Sequence, residues 1–305
     1  MRIVVIGAGA MGGIYGARLS LHNDVTLIDT NRELVDHVRR HGLVLEEGGV
    51  ETTFHPGMAC DAGGLAPADL VILFTKALYS RDALEGARSV IGEDTCLMSL
   101  QNGAGHERLL SQYVPMERVV IGTSEDNGAV LGPGRVHHGG SGVTNIGLAA
   151  GDDVLLLERI RSAFEPCGFD VRIHSDIRRL VWDKLMTNVS LSALSAILQC
   201  DMSFIAADGH AWSLCTALVD EALMVAEAQG LHFERNAVLE KVRTTSLSNP
   251  GGYTSIMKDM QNGRRTEVDT ISGAVVTAAC EHSLQVPRHE MIVSLIHAFE
   301  ARGRS

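Results

Sequence analysis

An α/β fold is predicted for this chain, with a parallel-sheet domain over residues 1–175 and an all-helical domain over residues 176–305. Three observations predict it. An apolar strand at the start runs into a glycine turn and then a helix; the first third alternates β-branched runs with helical patterns; and from Asp176 the periodicity is helical almost throughout. In order, strands are expected at 3–6, 25–28, 70–74 and 96–100, with helices at 10–21 and 33–41. Such alternation calls for a parallel sheet with crossover helices, because a parallel pair needs a long return path. Between 119 and 175 come strand-like pieces at 119–122, 143–147 and 171–174, with a turn at Gly132-Pro133-Gly134; these extend the sheet's far edge. Helices follow at 178–200, 205–229, 232–246, 265–283 and 288–302. A length of 305 residues suits two cores better than one.

Composition narrows the function. The net charge is −11, which disfavours a nucleic-acid backbone or an anionic membrane as partner. No run reaches the roughly 18 apolar residues of a membrane helix. The six cysteines (Cys60, Cys96, Cys167, Cys200, Cys215, Cys280) are scattered without a C-x-x-C pair, so a reduced, cytoplasmic protein with no metal is expected; a monomer or homodimer is the expected state. His137-His138 lies beside glycines without a ligand set around it and reads as a surface turn; Met224, Met257 and Met260 read as core filler.

The strand 3–6 leads into Gly7-Ala8-Gly9-Ala10-Met11-Gly12, a G-x-G-x-x-G turn opening a helix. In the Rossmann-type arrangement the first glycine allows the tight turn, the second lets the backbone approach a pyrophosphate, and the third lets helix and strand pack closely. The phosphates then meet the helix N-terminus. The second strand ends at Asp29, about 20 residues on, where an acid holds the adenosine ribose. Its carboxylate would accept from a free 2′-hydroxyl and repel a 2′-phosphate, which favours NADH; Arg32, three residues on, is either a phosphate contact or a solvated charge.

In the helical half, Lys184, Asn188 and Ser192 are spaced by four and share one helix face within an otherwise apolar segment. Lysine is rarely buried without a partner, so the stripe is either a solvated face or a chemical site. A second stretch, Ser255 to Asp259 and then Arg264 to Asp269, supplies a hydroxyl and the acid Glu267 near a break at Gly263.

Taken together, the glycine turn, Thr75-Lys76-Ala77, Leu100-Gln101-Asn102-Gly103, Gly132-Pro133-Gly134-Arg135-Val136, Trp182-x-Lys184-Leu185-x-x-Asn188, and Ser255-x-Met257-x-Asp259 leading to Arg265-Thr266-Glu267-Val268-Asp269 resemble the ketopantoate reductase family over nearly the whole chain. The resemblance implies reduction of 2-dehydropantoate to D-pantoate, a CH-OH oxidoreductase step of pantothenate biosynthesis usually run on NADPH, in a cleft between the two domains. It implies that Lys184 is the general acid; that Asn188, Ser255 and Asn102 hold the substrate; and that Glu267 is a catalytic acid facing cofactor and substrate. Ser192, on the same helix face, is expected to touch the substrate too. Lys76, Asn102 and Ala129 become cofactor contacts beside Gly7, Ala8, Gly9, Ala10, Met11, Gly12 and Asp29. The segment before Ala129 is one residue longer than usual.

Two departures from the family pattern bear on substrate and cofactor. Ser192-Ala193 stands where the family usually has asparagine and proline, and Asp29 stands where NADPH users lack an acid. Both point toward an alternative, an NAD-dependent D-2-hydroxyacid dehydrogenase of the same superfamily. A dinucleotide-binding sensor without chemistry is the reading from another class, since fold alone does not imply function. Lys184, Asn188, Ser255 and Glu267 occurring together argue against it.

Overall fold

The computed structural model of the protein describes residues 1–302. Its internal contacts divide the chain into two units, Met1–Gln101 with His106–Arg178, and Asn102–Gly105 with the residues from Arg179 onward.

The strands are β1 (Arg2–Ile6), β2 (Asp24–Ile28), β3 (Leu43–Glu47), β4 (Val50–Phe54), β5 (Gly57–Ala59), β6 (Leu70–Leu73), β7 (Cys96–Ser99), β8 (Val119–Ser124), β9 (Asn127–Gly132), β10 (Arg135–Gly140), β11 (Val143–Leu148) and β12 (Asp170–Ile173). The first unit also carries α1 (Ala10–Leu19), α2 (Arg32–His41), α3 (Ser80–Gly86), α4 (His106–Leu110) and α5 (Val154–Phe164). Eight strands form one sheet in the order β12-β11-β8-β7-β6-β1-β2-β5. From β8 to β5 all are parallel; β11 runs antiparallel to β8 and β12 parallel to β11, the expected far edge. Every residue of β6, β7 and β8 is buried, which is why they read as unbroken apolar runs rather than alternating ones. The chain winds from β1 toward β5, then returns to β6 and winds the other way. The reversal between β1 and β6 opens the crevice at the strands' carboxyl ends where such sheets bind ligands.

A second sheet, in the order β4-β3-β10-β9, has no counterpart in the sequence reading. Its polar strands hide it: four of the five β4 residues (Val50–Phe54) are exposed. The Gly132-Pro133-Gly134 turn joins its β9 and β10, and His137-His138 lies within β10 rather than in a surface turn.

The second unit is helical: α6 (Ile177–Leu198), α7 (Met202–Ala207), α8 (Gly209–Ala228), α9 (Arg235–Leu247), α10 (Ser255–Gln261), α11 (Ser272–Glu281) and α12 (Pro287–Arg302). Fully buried Val189, Ile205, Val219, Val242, Ile256, Val275 and Ile296 join these helices in one core. Two expected helices are corrected. The 205–229 segment breaks at Asp208, whose Oδ1 accepts from the His210 and Ala211 amides and so starts α8 afresh. The 265–283 helix begins only at Ser272. Met257 is core as expected, Met260 packs at its edge, and Met224 is instead 40% exposed. No described helix is long and apolar enough to cross a membrane.

Candidate active site

The glycine turn takes its shape from contacts that forbid side chains at two of its three glycines. Gly7 has φ +95°, and a Cβ there would stand 2.7 Å from the Thr75 nitrogen; one on Gly12 would stand 1.8 Å from the Gly7 oxygen. Gly9 is different: a Cβ there would meet nothing within 4 Å. Gly9 is also the N-cap of α1 and offers no side chain to the helix's first amides, so the N–H groups of Ala10, Met11 and Gly12 have no side-chain cap. That fits a phosphate rather than a packing need.

The other expected cofactor residues of the first unit gather round this turn. Asp29 accepts from the Ala8 amide at Oδ2 (2.9 Å) and from the Asn31 amide at Oδ1 (2.9 Å), so its carboxylate is fixed against the glycines. Arg32 is exposed at the start of α2. Lys76, half-buried, directly follows the Thr75 that Gly7 packs against. Gln101, to which the sequence reading gave no role, donates to the Thr75 carbonyl (2.6 Å) and Ser80 Oγ (2.8 Å) and ties the ends of β6 and β7 together. Ala129 is exposed on β9, and its neighbour Gly128 lies against Ile14 and Ala10 of α1.

A buried polar network anchors α1 from below. The Tyr15 hydroxyl lies within reach of Ser124 Oγ (3.0 Å), Thr144 Oγ1 (2.7 Å) and Asp126 Oδ2 (3.2 Å). Burial, and then the Asp126 charge, pushes the phenol well above its ordinary pKa, so it stays a donor. His138, with its side chain wholly buried, pairs through Nε2 with Asp126 Oδ1 (3.0 Å); its Nδ1 is 2.9 Å from Glu47 Oε1 but out of hydrogen-bond alignment. Burial raises the Glu47 carboxyl, but hydrogen bonds and charge from Arg18 and the charge on His138 outweigh it and leave the pKa below the ordinary value. The exposed-turn expectation for His138 fails because β10 is an inner strand of its sheet.

In the second unit, α6 carries Lys184 and Asn188 half-buried and Ser192 5% exposed, in line with the four-residue spacing. Thr254 is the link that sequence reasoning missed. Its hydroxyl donates to the Ser192 carbonyl (3.1 Å), lies 3.2 Å from Ser195 Oγ, and caps α10 through the Met257 amide. Ser255, exposed at the first position of α10, directly follows the Thr254 that bonds to the Ser192 carbonyl. Thr187 Oγ1, next to Asn188, is buried without a hydrogen-bond partner, and nothing in the sequence marked it.

Glu267 and Asn102 are also brought together in this unit. Gly103 has φ +99°, and a Cβ there would lie 2.0 Å from the Thr270 oxygen, so only glycine fits. The Ala104 amide donates to that oxygen (3.0 Å) and Thr270 Oγ1 to the Asn102 carbonyl (3.4 Å). Thr270 in turn donates its own amide to the Glu267 carbonyl (3.1 Å). Glu267 therefore sits in a turn rather than on the expected helix, because Thr270 serves residues 102–104 instead of extending α11.

A parallel sheet with a glycine turn at its switch point, followed by a helical unit with a Lys-Asn-Ser stripe, defines a dinucleotide-dependent oxidoreductase acting on CH-OH groups. A family model described as "Ketopantoate reductase PanE/ApbA" matches residues 3–151, and "Ketopantoate reductase PanE/ApbA C terminal" matches 176–300. The chain is 30% identical over 307 residues to a 2-dehydropantoate 2-reductase of Halobacterium salinarum, covering 99% of this chain and 100% of that one. Among solved structures it resembles D-mandelate dehydrogenase with NADH and anilino(oxo)acetate (TM-score 0.92, 27% identity, 100% of both chains). It also resembles 2-dehydropantoate 2-reductase from Geobacter metallireducens (TM-score 0.86, 27% identity, 98% of this chain and 99% of that one). This chain belongs to the ketopantoate reductase family.

Proposed function

We propose that this protein reduces the C2 carbonyl of a 2-oxo acid to the D-2-hydroxy acid with a nicotinamide dinucleotide, the leading substrate being 2-dehydropantoate and the product D-pantoate. What carries the reading is the Lys184, Asn188 and Ser192 stripe on one face of α6, with Thr254, the residue before Ser255, bonded to the Ser192 carbonyl; we read these as a carboxylate- and hydroxyl-binding set beside a proton donor.

The open space before Gly9 and the N-terminal amides of α1 fit a dinucleotide's pyrophosphate; Lys76, Asp29 and Ala129 would hold the rest. When bound, the reduced nicotinamide supplies hydride. The chain's own task begins with the negative charge that builds on the C2 oxygen as hydride arrives. Lys184 stabilises that charge through its ammonium and delivers the proton to the oxygen. Asn188, Ser192 and Ser255 grip the substrate's carboxylate and hydroxyl groups and fix the carbonyl toward Lys184, with Asn102 a further polar contact. Glu267 is the acceptor that holds a hydroxyl or the lysine's charge in register.

NADH is the cofactor favoured here, because the Asp29 carboxylate is pinned to the turn where a 2′-phosphate would meet it. A second reading, a D-2-hydroxyacid dehydrogenase working on substrates without a 4-hydroxyl, draws on Ser192 in place of an amide and on the similarity to D-mandelate dehydrogenase. The six free thiols support a reducing, cytoplasmic setting. Small molecules are the expected partners, and the chain acts as a monomer or homodimer. Steady-state oxidation of NADH and NADPH against 2-dehydropantoate, phenylglyoxylate and other branched 2-oxo acids tests the whole reading. No turnover on any of them would refute it, and preference for substrates lacking the hydroxyl would select the second reading.

A further inference from the structure

Residues 265–271, which carry Glu267, are held from α12 by a cluster that neither the sequence motifs nor the proposed chemistry uses. The Thr266 amide and hydroxyl both donate to Glu300 Oε1 at 2.8 Å, and the Glu300 side chain is 6% exposed. Between Glu300 and the segment stands His297. Its Nδ1 lies 3.2 Å from Glu300 Oε2 and its Nε2 lies 2.9 Å from Asp269 Oδ1. An ionised carboxylate only accepts, and a neutral imidazole has one N–H, so both contacts are hydrogen bonds only when the ring carries two protons.

We propose that Asp269, His297 and Glu300 form a protonation-dependent clasp that fixes the turn carrying Glu267, which makes His297 a positioning residue for the reduction. The inference rests on Glu267 being an acid of the site. The groups facing His297 are Asp269 on the turn and Glu300 on its own helix; Arg264 and Arg302 line, with Glu300, a cavity of about 280 Å³. The clasp reaches Asn102 too, because Thr270 of the same turn holds residues 102–104.

Burial alone would lower the His297 pKa, but the hydrogen bonds and charges of Asp269 and Glu300 outweigh it and raise it. A pKa raised on folding contributes stability below the unfolded value, about 6.5, and loses it as pH rises through the folded value. Glu300 runs the other way. Burial raises it, but the two Thr266 bonds and His297 outweigh burial and lower it, so its part is present above the ordinary carboxylate range and lost only in stronger acid. The clasp is therefore closed in mildly acidic solution and loosens as the pH climbs past the raised His297 value. With His297 and Asp269 38% and 54% exposed, solvent screens the pair, and about a two- to fivefold effect is expected.

The test compares wild type, His297→Gln and Glu300→Gln as full chains, with two readouts. Amide hydrogen exchange of residues 266–271, corrected for the intrinsic pH dependence, should be two- to fivefold slower at pH 6 than at pH 8.5 in the wild type, with that difference gone in His297→Gln. Glu300→Gln keeps an acceptor for Thr266, so it remains informative if the histidine variant folds poorly; it should lose most of the same difference. In parallel, kcat for the 2-oxo acid should fall in His297→Gln at pH 6 and converge on the wild type at pH 8.5, with the dinucleotide KM unchanged. Equal exchange in all three proteins at both pH values would overturn the clasp. So would a kcat loss of the same size at every pH that tracks a fall in Tm, which would mark a merely structural histidine. A wild type that reduces no 2-oxo acid overturns the functional reading instead, and the exchange comparison still decides the clasp.

Discussion

Replacing Asp29 by asparagine removes one negative charge from the glycine turn while keeping an oxygen that can accept from the Ala8 amide, which Asp29 holds at 2.9 Å. Two unit charges about 5 Å apart repel by about 1 kcal/mol in water and about 3 kcal/mol at an effective dielectric of 20. A 2′-phosphate carries roughly 1.5 to 2 negative charges. For a half-exposed carboxylate the lower part of that range applies, about 1.5 to 2.5 kcal/mol, or roughly 10- to 70-fold in the ratio of kcat/KM for NADPH over NADH. The ratio is the right readout. Loss of the Asn31 amide contact loosens the turn for both cofactors alike and divides out, whereas the charge acts on one cofactor only. The assay is initial-rate oxidation of each cofactor at several concentrations with a saturating 2-oxo acid. A ratio that moves less than about twofold in Asp29→Asn would refute the electrostatic argument, as would a wild type that uses NADPH about a hundredfold better.

Lys184→Ala should lower kcat about 10²- to 10⁴-fold while dinucleotide affinity, followed by fluorescence titration, stays near normal; a variant that keeps its kcat leaves Lys184 as a positioning charge. Tyr15→Phe deletes the hydroxyl that joins α1 to Ser124, Thr144 and Asp126, and should cost about 1 to 3 kcal/mol in urea unfolding together with weaker dinucleotide binding; an unchanged midpoint would remove the anchor argument. Ser192→Asn restores the missing amide at a 5% exposed position and should raise selectivity for a 4-hydroxylated 2-oxo acid about tenfold, at some cost in stability from overpacking; unchanged selectivity between substrates with and without that hydroxyl would dissociate Ser192 from the pocket.

The parallel sheet was legible because each central strand is buried on both faces and so writes itself as an apolar run, as Leu70–Leu73 does. The glycine turn was legible because the backbone needs glycine there for reasons that are local in sequence. The second sheet was not, since β4 (Val50–Phe54) is polar, exposed and short. Among the site residues, the helix spacing gave the α6 stripe, but Thr254 escaped. Its importance lies in a bond to the Ser192 carbonyl 62 residues away, and no periodicity encodes such a contact. His138 was misread for a similar reason: two adjacent histidines before two glycines look like a turn until the strand pairing of β10 with β3 buries one of them.

The failure of the expected helix at 265–271 is the most informative of these errors. The residues there are not poor helix formers as a group, and Val268 and Ile271 are fully buried as a helix face would have them. What defeats the helix is competition for backbone groups. The Thr270 carbonyl goes to the Ala104 amide instead of an α-helical ladder, while the Thr266 amide, which the first turn of a helix starting at 265 would leave without a partner inside the helix, is taken by Glu300. The chain gains little stability from the Thr270 exchange, because one backbone bond replaces another of similar worth. What it gains is a fixed place for Glu267 and for Asn102, two residues 165 positions apart that share Thr270 as their support. Local pattern and final structure part company where the side chains of the proposed reaction are held, as expected when function rather than propensity sets the backbone.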